Sequence, residues 1–218
     1  MMGASRIHLV KEGYREDYSV DGVFAARKCC SAVVLFDSGD GVTVVDAGGP
    51  GYGREIRESV EKLGFDCKEV DFLVNTHSHI DHTYNNYLFS NAVIVTASSI
   101  WHTKEGNRVE FLADVEGFNL PGCALIETPG HMISHVSVLV DDGSGKTVVA
   151  GDAVRENIIL SGRLPANYPD PQAYVESMKK VFESGDRVIP GHGRVIEGKI
   201  FEDLRERVID FPVTVCGR

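Results

Sequence analysis

The chain has 218 residues, 43% hydrophobic and 25% charged, which is enough to bury a sizeable core. Its formal net charge of -10 argues against sequence-independent nucleic-acid binding, which relies on a basic surface to displace counterions. No apolar run approaches membrane-spanning length, and the opening MMGASRIHLVKEGYRED turns charged before a signal-peptide core could form, so a cytoplasmic protein with no membrane segment is expected.

Along the chain there is no Pro/Ser-rich linker, low-complexity tract or charge block, so residues 1–218 read as a single domain. SAVVLFD and GVTVVDAG flank the turn Ser38-Gly39-Asp40-Gly41 and predict a β-hairpin. REIRESVEKLG follows, with Ile56, Val60 and Leu63 on one helical face and Gly64 as a stop. DFLVNTH then reads as a buried strand. HVSVLVDDGSGKTVVAGDAV is a second hairpin with a Gly/Asp turn. DPQAYVESMKKVFESG is a helix with Asp170 as N-cap, Pro171 at the first helical position and Gly185 closing it. DRVIPGHG predicts one more strand ending in a histidine loop, and GKIFEDLRERV a final helix. The pattern is hairpin, helix, strand, helix, strand, and then roughly the same again. It predicts two packed sheets with helices on their outer faces, and polar loops gathered along one edge.

Five of the eight histidines follow a β-like run or a Gly/Pro turn: His77, His79 and His82 after DFLVNT, His131 in ETPGH, and His192 in VIPGHG. Asp152 in VVAGD stands in the same kind of place. In an extended loop His77 and His79 point the same way, because side chains alternate with period two. A turn into helix near Asp81 then swings Asp81 and His82 to a neighbouring point. One loop can thus serve two metal ions, with His131, Asp152 and His192 as complements. Imidazole and carboxylate donors without thiolate suit Zn²⁺, with Fe or Mn as alternatives. A lone histidine such as His8 or His102 is more often incidental, but HxHxDH followed by three Gly-flanked His/Asp loops is a strong metal signature. The cysteines, Cys29, Cys30, Cys67, Cys123 and Cys216, are odd in number and form no CxxC pair. They read as reduced thiols, with Cys29 and Cys30 as small buried hydrophobes.

THSHIDH, TPGH, VAGD and PGHG, in that order and spacing, resemble the metallo-β-lactamase-fold hydrolase superfamily from about Ala32 to His192. VVDAGGPG at Val44–Gly51 matches the strand end of that fold. The chain is similar to the small, single-domain kind, such as metallo-β-lactamase-domain-containing protein 1 and the catalytic domain of glyoxalase II. The resemblance implies an α/β fold, the four-layer αββα sandwich. It also implies that His77, His79 and His131 hold a first metal, that Asp81, His82 and His192 hold a second, and that Asp152 bridges them. Asp46 would orient a ligating imidazole from outside, and His135 would be an outer or structural neighbour.

Two metals sharing a water lower its pKa toward neutrality, which makes hydrolysis the leading reaction class. The expected function is a dinuclear metal-dependent hydrolase of a small ester, thioester or lactone. Asp81 would bind metal and accept a proton during turnover, and Tyr84, where relatives carry Gly, is a candidate hydroxyl donor. Arg155, Tyr168 and Arg194 lie near the motif loops and could meet an anionic substrate, although a solvated surface role is commoner for such residues. A secreted β-lactamase is disfavoured, because those enzymes need an export signal and commonly carry Cys where this chain has Asp152. Only 25 residues follow Gly193, against the helical glutathione-binding domain of full glyoxalase II. The competing readings are a phosphodiesterase or RNA nuclease of the same fold, a mononuclear iron persulfide-type dioxygenase, and a non-catalytic metal-stabilised scaffold. The dioxygenases' usual Gly-Cys-Gly-Arg stretch after GD is replaced here by GDAVREN.

Overall fold

The computed structural model describes residues 6–20 and 23–213. Its larger sheet has seven strands in the order β1 (Arg6–Lys11), β4 (Val33–Asp37), β5 (Val42–Val45), β6 (Phe72–Val74), β7 (Val93–Val95), β8 (Ser99–His102) and β9 (Arg108–Phe111). The second has four, β10 (Cys123–Glu127), β11 (Val136–Asp141), β12 (Lys146–Gly151) and β13 (Arg187–Pro190). A separate two-stranded ribbon, β2 (Tyr14–Val20) with β3 (Val23–Cys30), is hydrogen-bonded into neither. Helices α1 (Gly53–Lys62), α2 (Ile80–Thr83), α3 (Glu156–Ser161), α4 (Pro171–Ser184) and α5 (Gly198–Ile209) complete the molecule.

The strand sequences explain the layering. β4 is apolar and buried from Val33 to Phe36 because both of its faces are covered. Val33 and Leu35 join Val44, Leu73 and the α1 residues Ile56 and Val60 in an outer core. Val34 and Phe36 instead meet Val45, Val74, Val138, Val149 and Ile189 between the two sheets. β12 and β13 alternate in the same way. Val148 and Val188 pack under α4 and α5 with Met178, Phe182, Phe201 and Leu204, while Val149 and Ile189 face the central layer. Each fully buried side chain of this size contributes roughly 1.5–3 kcal/mol of transfer free energy, which holds four layers together. The result is the expected αββα sandwich.

Most of the anticipated elements stand where the sequence puts them. The first hairpin closes through Ser38 N–H to the Gly41 carbonyl at 3.2 Å, and Asp170 caps α4 by accepting from the Ala173 N–H at 2.9 Å. Gly185 ends α4, but in extended backbone (φ -140°). A side chain there would strike the Lys146 carbonyl, so close approach to the sheet is what demands glycine. Two regions differ from the repeated pattern. Residues 93–127 carry the strands β7 to β10, whose short, interrupted runs alternate too weakly to stand out. Helix α2 begins inside HxHxDH, at Ile80, and is only four residues long, so Tyr84 lies at its C-terminal end.

β5, β6 and β7 run parallel, as do β12 and β13, and β10 shares the direction of β12 across the antiparallel β11. The C-terminal ends of β5 and β6 in one sheet and of β10, β12 and β13 in the other therefore open on one edge of the sandwich. Every anticipated site residue follows one of these ends.

Candidate metal centre

Backbone hydrogen bonds draw the edge loops into one structure. Asp46 N–H donates to the Val74 carbonyl at 2.8 Å and Ala47 N–H to that of His82 at 2.7 Å. Across the sheets, Val136 N–H reaches the Thr76 carbonyl at 2.9 Å, and within the smaller sheet's edge Gly191 N–H reaches the Gly151 carbonyl at 2.7 Å. Asn85 then clamps the loop after β5 by donating to the carbonyls of Ala47 and Gly49, both at 2.9 Å.

On this frame seven side chains converge in two linked groups. His79 Nδ1 lies 2.9 Å from His77 Nε2 and 3.1 Å from His131 Nε2. Asp81 Oδ2 lies 3.2 Å from His192 Nε2 and 3.9 Å from His82 Nε2. Asp152 stands between the groups. Its Oδ2 is 3.3 Å from His131 Nε2, and its Oδ1 is 3.5 Å from both His82 Nε2 and His192 Nε2. The donor atoms of His77, His79 and His131 lie within 4.8 Å of one another, as do those of His77, His82 and Asp152.

Unsatisfied atoms show what this arrangement accommodates. His82 Nε2, His192 Nε2 and Asp152 Oδ1 are buried, aimed together and without a hydrogen-bond partner. Such atoms are rare in folded proteins because each costs about 1–3 kcal/mol. A cation at their centre would satisfy all three. The main chain leaves room for it at Gly191, where a Cβ would come within 2.4 Å of Asp152 Oδ1 and 2.8 Å of His82 Cε1. Gly151, at φ +49°, is excluded from carrying a side chain by Thr76 Oγ1, 2.6 Å from where its Cβ would be.

Outer partners fix the imidazoles. Asp46, itself held at φ 56° in the left-handed region, is 2.7 Å from His82 Nδ1 through Oδ2 and accepts from Thr76 N–H and Oγ1–H, each at 2.8 Å. Thr76 Oγ1 is also 3.1 Å from His77 Nδ1. His192 Nδ1 sits 3.2 Å from the Cys30 carbonyl. His135, 1% exposed, bonds Thr128 Oγ1 at 2.9 Å and stacks on His77, with ring centroids 5.1 Å apart. Asp46 and His135 each touch an imidazole of the cluster, His82 and His77 respectively.

Electrostatics separate the residues further. Burial pulls the His131 imidazole down to about 4 and His135 to about 3, and it also lowers His77 strongly. Burial would likewise keep His82 neutral, but the carboxylates of Asp46 and Asp152 outweigh it and push the group up to about 10. Burial acts against ionisation of Asp152 and Asp81 too. The imidazoles of His192 and His82 nevertheless hold both below the usual carboxylate range.

Three residues stand differently from the expectations. Tyr84 is 48% exposed and makes no side-chain hydrogen bond to the cluster among the described residues. Arg155 and Tyr168 are not surface residues. Arg155, 7% exposed, donates from Nη2 to Asp17 Oδ2 at 3.0 Å, and the Tyr168 ring meets the edge of His131 at a centroid distance of 5.0 Å. Only Arg194 keeps to the solvated face, paired with Glu156. The sequence reading missed two members of this neighbourhood, Arg15 and Cys29. Cys29 Sγ donates to Asp81 Oδ2 at 2.8 Å, with Arg15 Nη1 at 3.9 Å on its other side. Burial and the Asp81 carboxylate push that thiol up to about 12. Nothing in the local sequence marks these two, because they arrive on the β2–β3 ribbon from a distant part of the chain.

Comparison with known proteins gives consistent results. The profile of the metallo-beta-lactamase superfamily matches residues 28–192. Metallo-beta-lactamase domain-containing protein 1 of Xenopus laevis is 31% identical over 191 residues, 86% of this chain and 79% of that protein. The N-acyl homoserine lactonase of Bacillus thuringiensis is 23% identical over 137 residues, 57% of this chain and 54% of the lactonase. Among solved structures, a Thermotoga maritima protein assigned to the metallo-beta-lactamases superposes with a TM-score of 0.67 at 18% identity, covering 89% of this chain and 100% of that one. Among the described residues, no helix is long and apolar enough to cross a membrane.

Proposed function

This chain belongs to the metallo-beta-lactamase superfamily, and from that premise we propose that it is a dinuclear metal-dependent hydrolase of a small ester, thioester or lactone. The observation that carries the reading is Asp152, whose two oxygens face the two groups of donor atoms, with the buried nitrogens of His82 and His192 left without partners. His77, His79 and His131 would hold one divalent ion, Asp81, His82 and His192 the other, and Asp152 both. Zn²⁺ suits this imidazole-rich set, with Fe or Mn as alternatives. When bound, the ions supply a water of lowered pKa and a Lewis acid for the scissile carbonyl.

The chain's own residues prepare that chemistry. Asp46 holds His82 through Nδ1 and so directs Nε2 into the cluster, while the Cys30 carbonyl does the same for His192. Asp81 turns Oδ2 toward His192 and Cys29. Its other oxygen, Oδ1, makes no side-chain hydrogen bond among the described residues and is the atom to take up the water's proton. Substrate reaches Asp81 through a cleft of about 540 Å³ bounded by Lys28, Pro50, Tyr52 and Ile80. Lys28 on this rim suits an anionic substrate.

Within the hydrolases, the likeness to the homoserine lactonase supports a lactone. Zn-, Fe- and Mn-loaded protein tested on chromogenic thioesters, lactones and bis-phosphodiesters decides the matter. Turnover of a thioester or lactone is expected, and it should be lost in Asp81→Ala. Hydrolysis of the phosphodiesters alone would contradict the proposal.

A further inference from the structure

The β2–β3 ribbon brings a thiol to the cluster, and it departs from regular strand geometry to do so. Tyr14 pairs with Cys30 and Glu16 with Arg27, so Lys28 and Cys29 together oppose Arg15 alone. This is a β-bulge, the device that re-aims a side chain at the rim of a site. Lys28 takes φ 51°, a left-handed conformation that a residue with a long side chain adopts at a cost. The neighbouring Cys30 shows what an inert thiol looks like here. It is fully buried, and its sulfur accepts from the Gly49 N–H at 3.2 Å. Cys29 instead is half-buried and lines the substrate cleft.

Its sulfur meets two donor atoms already turned inward. Cys29 Sγ, a carboxylate oxygen of Asp81 and an imidazole nitrogen of His192 all lie within 4.8 Å of one another. His192 is 7% exposed, and its Nε2 has no hydrogen-bond partner. As a thiol, Cys29 reaches the Asp81 carboxylate through its S–H but leaves that nitrogen without a partner.

We propose that Cys29 is a further ligand, as thiolate, of the ion held by Asp81, His82 and His192. This rests on the dinuclear reading above. On binding, the S–H bond breaks, its proton passes to solvent and a sulfur–metal bond forms, so this ion carries one soft ligand among nitrogens and oxygens. The other group of donors contains no sulfur. The two positions therefore differ in metal preference, with the thiolate favouring Zn²⁺ over Mn²⁺ at the second.

The test uses Co²⁺ as the probe in the full chain, in Cys29→Ser and in Cys123→Ser as a thiol control. The unmodified chain and C123S should each bind two Co²⁺ and show the near-ultraviolet charge-transfer band of a cobalt–thiolate bond. C29S should lose that band and release one proton fewer on loading. X-ray absorption of the unmodified Zn²⁺ form needs no variant to fold, and it should show sulfur at about 2.3 Å. Two bound ions with no band and no sulfur scattering would overturn the proposal while leaving the dinuclear reading intact, as would a band that persists in C29S. A chain that takes up fewer than two ions, with no sulfur signal, would overturn both.

Discussion

Around His77, His79 and His131 the outer partners are neutral: a threonine hydroxyl, the stacked ring of His135 and the ring of Tyr168. Around Asp81, His82 and His192 they include the Asp46 carboxylate, the Cys30 carbonyl and the Cys29 thiol. In the first group His77 and His131 are buried bases held neutral by desolvation, with His79 exposed beside them, and the second is a charged network in which carboxylates and imidazoles stabilise one another. The difference teaches that one cluster can position two groups of donor atoms by different means. Asp152 turns one oxygen to each group, so its removal should affect both, whereas changes to the outer partners should divide them.

The largest effect is therefore expected from Asp152→Ala. Hydrolysis should fall by at least about 10²–10³-fold, the scale for removing a preorganised polar group from an active site. Metal content should drop in the same variant, which elemental analysis would check. Asp46→Asn removes the charged partner of His82 and should weaken one of the two binding steps by about 10–100-fold in a calorimetric titration. His135→Gln, which removes the ring stacked on His77 and alters the contact with Thr128, should change the other step less. If D46N weakened both steps equally, the two groups would not be separately held.

Unfolding of the metal-free protein against pH sharpens the same contrast. His131, His135 and His77 bind protons more weakly folded than unfolded, so below about pH 6.5 the unfolded chain takes up more protons and stability falls as pH falls. His82 is shifted the other way, to about 10. Its contribution is complete below about pH 6.5 and is lost as pH rises from there toward 10. Stability should thus peak near neutral pH. H135Q should flatten the acid limb, D46N the alkaline limb, and an unchanged pair of limbs would break the comparison. Asp17→Asn should give the smallest effect, about 1 kcal/mol of stability in denaturant titration, because it removes the charge paired with Arg155 at a partly exposed position.

How much of this was legible in the sequence depends on distance along the chain. His77, His79, Asp81 and His82 sit in one short loop, and His131, Asp152 and His192 each follow a recognisable strand or turn, so their convergence could be read from motif and order. The sandwich followed from strands such as VVLF that are apolar on both faces. Tyr84 could not be placed in this way, because whether its ring faces the cleft depends on where a four-residue helix ends. Arg155 looked like a loop residue, and only the packed ribbon with Asp17 explains its burial. Cys29 was read as a small buried hydrophobe. Its role depends on a bulge opposite Arg15 and a contact 52 residues away, and neither leaves a local pattern.

Native mass spectrometry of the purified protein tests the central claim most directly, since it counts the ions each folded chain carries. Two divalent ions are expected per chain, and fewer in the D152A variant. A chain carrying none, or one ion whose retention is indifferent to Asp152, would contradict the account.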